Sequence, residues 1–174
     1  MIFSKYIRKG DFLMAVFNTA DFRLPRWNEY PTVDLYLDQM LSLLNSSIEE
    51  LMPGCDGNLT RTMINNYVKH KYIKAPVNKR YDRLTCASLL VIALLKPVYS
   101  INEISSLIDL DIEHNNVGES YDFFCDLIES AVQSVFEGRS FDRTSSELDP
   151  RGILWNVCNS FASWFYVKNI YLQG

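Results

Sequence analysis

The side chains that could do bond-making chemistry or hold a metal are few and poorly spaced for it. Cys55, Cys86, Cys125 and Cys158 lie 31, 39 and 33 residues apart, with no C-x-x-C pair and no partnered histidine spacing. Neither a zinc site nor a disulfide framework is expected; four free thiols acting as small buried hydrophobes in a reducing compartment are. Asp109-x-Asp111-x-Glu113 followed by His114 invites a cation-loop reading, but His114 stands where a calcium loop requires glycine and Ser120 where it requires glutamate. That stretch therefore reads as an acidic helix end in solvent. His70 and His114 are the only histidines, and neither sits in an H-E-x-x-H, G-x-S-x-G or Cys-His setting. Phosphate-cradling G-x-x-x-x-G-K-[ST] and G-x-G-x-x-G loops are absent as well. The expectation is a protein with no catalytic residues, no metal and no cofactor.

What remains is electrostatic. Arg61, Lys69, Lys71, Lys74, Lys79, Arg80 and Arg83 stand against Asp82 alone between residues 61 and 83, a local charge of +6. The whole chain carries -4, so everything outside that stretch carries -10. A basic helix followed by a basic hairpin can lay ammonium and guanidinium groups along a phosphate backbone, while an acidic remainder repels the duplex in other orientations. The competing reading is a solvated basic face with no partner.

The elements that must position these cations can be read from caps and periodicity. A chain of 174 residues with 48% hydrophobic and 22% charged residues is one domain, or one domain with a small annex. Its 7 Gly and 6 Pro are too few to turn the chain of an all-β fold, so an all-α fold is expected. Residues 1 to 23 show no clear period and are treated as a loosely attached arm, with Met14 a possible alternative start. Lys5, Arg8 and Lys9 before Phe12 to Phe17 imitate a secretory signal, but Asp11 and the shortness of the apolar run argue against one. No window reaches the 18 apolar residues of a membrane span, and a soluble, cytoplasmic protein with no membrane partner is expected.

Thr32 is a natural cap for a helix from Val33 to Leu51, ended by Pro53 and Gly54. A shorter helix begins near Thr60 and runs from Arg61 to about Lys71, with Met63, Ile64, Tyr67 and Val68 inward. Pro76 and Asn78 suit a tight hairpin within residues 72 to 81. Asp82 caps a helix that is apolar on nearly all sides, stops near Pro97 and must be buried centrally. Ser100-Ile101-Asn102-Glu103 is a capping box opening a helix to about Leu110. Two amphipathic helices follow, from about Ser120 to Glu137 and from Pro150, capped by Asp149, to about Leu172, with a polar linker over residues 138 to 148 between them.

A short helix, a basic hairpin and two capped helices are the order of a winged helix-turn-helix reader. Residues 59 to 110 resemble the DNA-binding domain of the MerR family through Thr62-Met63-Ile64-Asn65-Asn66-Tyr67-Val68-Lys69, Ile73-Lys74-Ala75-Pro76, Lys79-Arg80-Tyr81-Asp82 and Tyr99-Ser100-Ile101-Asn102-Glu103-Ile104. The wing is several residues shorter than in that family, the first helix much longer, and Asn65 stands where the recognition helix usually carries arginine. Over nearly its whole length the chain also resembles the YkrK-type family, a bacterial domain of unknown function, through Leu24-Pro25-Arg26-Trp27, Met63 to Lys69 and Lys79-Arg80-Tyr81. The MerR resemblance implies a transcription regulator that acts by binding double-stranded DNA. Arg61, Asn65, Asn66, Tyr67 and Lys69 would face the major groove, and Lys74, Lys79 and Arg80 the flanking phosphates.

The C-terminal half is rich in aromatics. Core packing is the default for Trp155, Phe161, Trp164 and Phe165; a homodimer interface or a pocket for a small apolar effector are the sharper alternatives. The expected organisation is an arm at 1–23, a winged helix-turn-helix-like DNA-binding unit at 24–112, and a helical pair at 113–174 for core completion, dimerisation or effector binding. The alternative function is a protein-interaction or effector-binding helical module that has lost DNA reading.

Overall fold

The most apolar helix opens on an aspartate cap and is buried along most of its length. In the computed structural model, which describes residues 18–55, 57–112, 116–139 and 150–171, Asp82 accepts the Thr85 N–H at 2.8 Å and the Thr85 hydroxyl at 2.6 Å, opening the helix Arg83–Leu95. We number the α-helices of the described residues α1 (Leu37–Leu51), α2 (Arg61–Lys69), α3 (Arg83–Leu95), α4 (Ile101–Ile112), α5 (Val117–Phe136) and α6 (Pro150–Tyr171), with strands β1 (Leu35–Tyr36) and β2 (Arg80–Tyr81). Nine α3 residues are buried, from Thr85 to Leu95 and on all sides, as its unbroken apolar composition requires. The fold is mostly helical, with a two-stranded sheet.

Leu24–Cys125 form one compact unit. Within it α1 packs on α3 through Met40, Leu44, Ile48 and Leu51, four residues at helical spacing with at most 2% exposure. The expected start of α1 at Thr32 is corrected. Residues 33 to 36 are not helical: Leu35 and Tyr36 pair antiparallel with Tyr81 and Arg80, and Val33 is 69% exposed. The helix opens after Tyr36, whose N–H is accepted by the Gln39 side chain at 3.0 Å. A cross-strand partner 44 or 46 positions away satisfies the backbone that a helical turn otherwise would.

The chain between α1 and α2 is held by Asn45. Its amide donates to the Leu59 carbonyl at 3.0 Å and accepts the Leu59 N–H at 2.8 Å, so one side chain acts as a strand edge for the linker. Thr60 then caps α2 by accepting the Met63 N–H. Ser100 and Glu103 form the expected capping box of α4, and the two hydrogen bonds from Ser100 hold the Glu103 carboxyl below its ordinary range.

The start of this unit is pinned to the first part of α5. Trp27 N–H donates to Asp122 at 2.7 Å, the Tyr30 and Tyr121 hydroxyls bond at 2.9 Å, and Tyr121 donates on to the Pro25 carbonyl. Gly118 lies against the Trp27 indole so closely that a Cβ there would stand 2.8 Å from Cδ1. Burial pushes both hydroxyls, Tyr30 and Tyr121, well above the ordinary phenol range.

The described residues of Met1–Arg23 and Asp126–Gly174 form the second unit. Phe161 and Phe165 stack at 5.6 Å, Phe136 of α5 approaches Phe165 at 5.8 Å, and Phe22 reaches Phe165 at 5.5 Å. Phe22 is 3% exposed, so the described end of the segment expected to be a loose arm is docked; residues 1–17 lie outside the described residues. Pro150 stands at the first position of α6 as expected. Its cap Asp149, most of the linker, and Glu113 and His114 lie outside the described residues. All four cysteines are buried, and none is in a disulfide.

Candidate nucleic-acid interface

The C-terminus of α2 is built to present lysine. His70 is the cap residue and Lys71, one position on, adopts φ 62°; the Tyr72 N–H reaches back to the Tyr67 carbonyl at 2.9 Å and the Lys71 N–H to the Val68 carbonyl at 3.1 Å. This is a Schellman closure, and the accompanying apolar contact is the edge-to-face pair Tyr67–Tyr72 at 6.4 Å. Glycine is the residue that adopts this left-handed backbone without penalty, and lysine holds it at a cost of about 1–2 kcal/mol.

The hairpin repeats the pattern. Val77 and Arg80 exchange N–H and carbonyl at 3.0 and 2.9 Å around Asn78 (φ 50°) and Lys79 (φ 64°), a two-residue type I′ turn. Asn at the first central position is favoured; Lys at the second stands where glycine is usual. The expected hairpin is therefore present, but Arg80 and Tyr81 also continue to β1, which the sequence did not foretell.

Lys69, Lys71, Lys74 and Lys79 are all exposed, and none of their ammonium groups has an ion-pair or hydrogen-bond partner among the described residues. The arginines are occupied. Arg61 pairs with Asp38, Arg83 lies 5.4 Å from the Trp27 ring centroid, and Arg80 donates to the Tyr36 hydroxyl at 3.0 Å while its guanidinium lies 4.7 Å over the Tyr36 ring. The Tyr36 hydroxyl bond pushes the Arg80 pKa up. Arg80 and Tyr36 are both exposed, so this pair forms a cationic, aromatic corner on the sheet.

The remaining α2 residues divide by face. Asn65 and Asn66 are exposed, whereas Ile64 and Tyr67 are buried at 0% and 6% exposure. Tyr67, expected both as an inward position of α2 and as a groove contact, takes the inward place three residues after Ile64, and its buried hydroxyl has no hydrogen-bond partner among the described residues. His70 stacks on Tyr72, which in turn bonds Asn102 of α4. Lys71 and Tyr36 are the site residues that the sequence reading left out. Lys71 was legible only as a charge, because its backbone conformation follows from where α2 ends. Tyr36 was assigned to a helix face.

Of the C-terminal aromatics proposed for a dimer or effector, Phe161 and Phe165 are fully buried in the cluster around Phe22 and Phe136, so core packing accounts for them. Trp155 and Trp164 are partly exposed. Two polar side chains of α6 bond back to their own helix, Asn156 donating to the Gly152 carbonyl and Ser160 to the Asn156 carbonyl. Among the described residues no group of three His, Cys, Asp or Glu side chains could hold a metal ion. Nor, among them, is any helix long and apolar enough to cross a membrane.

No curated protein and no solved structure matches the chain. A family model matches residues 25–124, nearly the span of the unit Leu24–Cys125 and shorter than the near-full-length resemblance expected from the sequence. That model is described as a domain of unknown function, DUF1836, and the chain belongs to this family.

Proposed function

We propose that the protein is a winged helix-turn-helix-like, MerR-like regulator that binds double-stranded DNA and acts by occupancy, without catalysis. The observation that carries the reading is the set of four exposed lysines on α2, its closure, the segment after it and the hairpin, unpaired among the described residues, two of them kept at positive φ where glycine is easier. Retained backbone strain points to a use for the side chain. Asn65 and Asn66 lie on the outward side of the same helix and suit the adenine edge. Lys69, Lys71, Lys74 and Lys79 serve as phosphate contacts, and the Tyr36–Arg80 corner follows Lys79 directly in the hairpin. Arg61 is not counted among them, since Asp38 already neutralises it.

Readers of this kind usually pair half-sites as symmetric dimers. Ile153, Ser160, Trp164 and Val167 share one face of α6 by helical spacing, with Ile153 39% and Val167 47% exposed, and this face is the proposed homodimer seam.

The test is fluorescence anisotropy of the full chain with a pool of random duplexes at several salt concentrations. Four phosphate contacts give a log-log slope of about -3.6, each contact supplying about -0.9. Lys69→Ala with Lys79→Ala lowers the slope toward about half that value. Absence of binding, or binding indifferent to salt, favours the protein-interaction module in its place, a reading to which the Arg61–Asp38 pair and the burial of Tyr67 already lend weight.

A further inference from the structure

Lys71 and Lys74 border an open cavity of about 460 Å³ formed by the end of α2, the segment after it, α3 and α4. Its apolar lining is mainly aliphatic, from Val68, Ile73, Ala75, Leu84 and Ile108, with the Tyr72 ring among them and the hydroxyl residues Thr85 and Ser88 on α3. That volume lies within the range that takes one small molecule. Neither ammonium has a partner among the described residues to neutralise it, and Lys71 is held there by a backbone conformation unfavourable to its type. An aliphatic wall beside two uncompensated cations is complementary to one class of ligand: an apolar body carrying a single anionic head.

We infer that this cavity binds a small amphiphilic carboxylate. The tail covers Val68, Ile73, Leu84 and Ile108, displacing water from aliphatic surface, and the head forms charge-assisted hydrogen bonds with Lys71 and Lys74. An inorganic anion supplies no apolar surface, and a neutral hydrocarbon leaves the two ammonium groups unanswered. The inference goes beyond duplex binding and does not rest on it. If both hold, the ligand and DNA phosphates compete for the same two lysines.

The experiment uses the full chain and two fluorescent probes of similar aromatic body, anilinonaphthalene sulfonate, which is anionic, and phenylnaphthylamine, which is neutral, with decanoate as competitor. Lys71→Asn with Lys74→Gln weakens the anionic probe about fivefold or more and changes the neutral probe less than about twofold, since only the ion pairs are removed. Asn is chosen at position 71 because it tolerates positive φ. Ser88→Phe, which fills the cavity, abolishes binding of both probes; decanoate displaces the anionic probe from the unaltered protein and inorganic phosphate does not. Circular dichroism checks each variant, and if Ser88→Phe does not fold, the lysine pair decides. Unchanged affinity of the anionic probe in Lys71→Asn/Lys74→Gln, retention of both probes by folded Ser88→Phe, or failure of decanoate to compete overturns the inference.

Discussion

Replacing Lys71 by glycine should make the protein more stable and a weaker binder. Lys71 holds φ 62° at the closure of α2, a conformation that costs a non-glycine residue about 1–2 kcal/mol. Glycine removes that cost but enlarges the unfolded ensemble, returning about 0.4–1 kcal/mol. The midpoints, about 1.5 less about 0.7, leave a net gain of about 0.8 kcal/mol, or about 2–3 °C in thermal midpoint for a chain of this length. The hydrogen bonds of the closure are made by backbone atoms and survive the change. Lys71→Ala separates the two effects, because alanine keeps the strain and loses the ammonium. Urea denaturation and duplex anisotropy on the three proteins form the assay. The expected order is glycine most stable, with lysine and alanine close together, and both variants losing about 0.9 from the salt slope. A glycine variant no more stable than the parent refutes the strain argument. A glycine variant that is more stable yet binds duplex with an unchanged slope refutes the claim that strain is kept for charge.

The other expectations concern the frame that carries these lysines. Asn45→Ala removes both hydrogen bonds that hold Leu59 ahead of α2 and should cost about 1–3 kcal/mol in urea unfolding; a change under about 0.5 kcal/mol, the scatter of ordinary surface substitutions, argues that the linker is held otherwise. Gly118→Ala drives a methyl to 2.8 Å from the Trp27 ring and should destabilise by about 1–3 kcal/mol with an altered Trp27 emission, whereas an unshifted urea midpoint counts against the close approach. Alkali should unfold the protein by way of Tyr30 and Tyr121. Burial raises both phenols above the ordinary value of 10.0, so their contribution is complete below pH 10 and is lost above it at about 1.4 kcal/mol per unit per group. Cys86, pushed up to about 11 by burial, adds the same sign of dependence from pH 9.0 upward. In a phenolate absorbance titration two of the ten tyrosines should ionise only with unfolding, and a smooth titration of all ten with the native fold intact contradicts this.

Much of the frame was legible because helix ends are local chemistry. Thr60, Asp82 and Ser100 each bond a backbone N–H three residues on, so a short window of sequence contains cap and target together. The central place of α3 was equally plain, since a helix apolar on every side has only one stable position. The start of α1 was not legible. Val33, Leu35 and Tyr36 fit the helical period, and what removes them from the helix is β2, more than forty residues later. Within the candidate interface, periodicity alone places Ile64 and Tyr67 inward, as they are found, and Asn65 and Asn66 on the opposite side.

By itself, then, the sequence determined a mostly helical chain with a concentrated positive charge between residues 61 and 83, because composition, caps and charge runs act over a few residues. The tertiary structure decided which of those cations remain available. Asp38 lies on another helix from Arg61 and Tyr36 on another strand from Arg80, and only the folded chain brings each to its arginine. The four lysines whose ammonium groups have no partner among the described residues, and the left-handed backbone under two of them, are consequences of how α2 ends and how the hairpin turns.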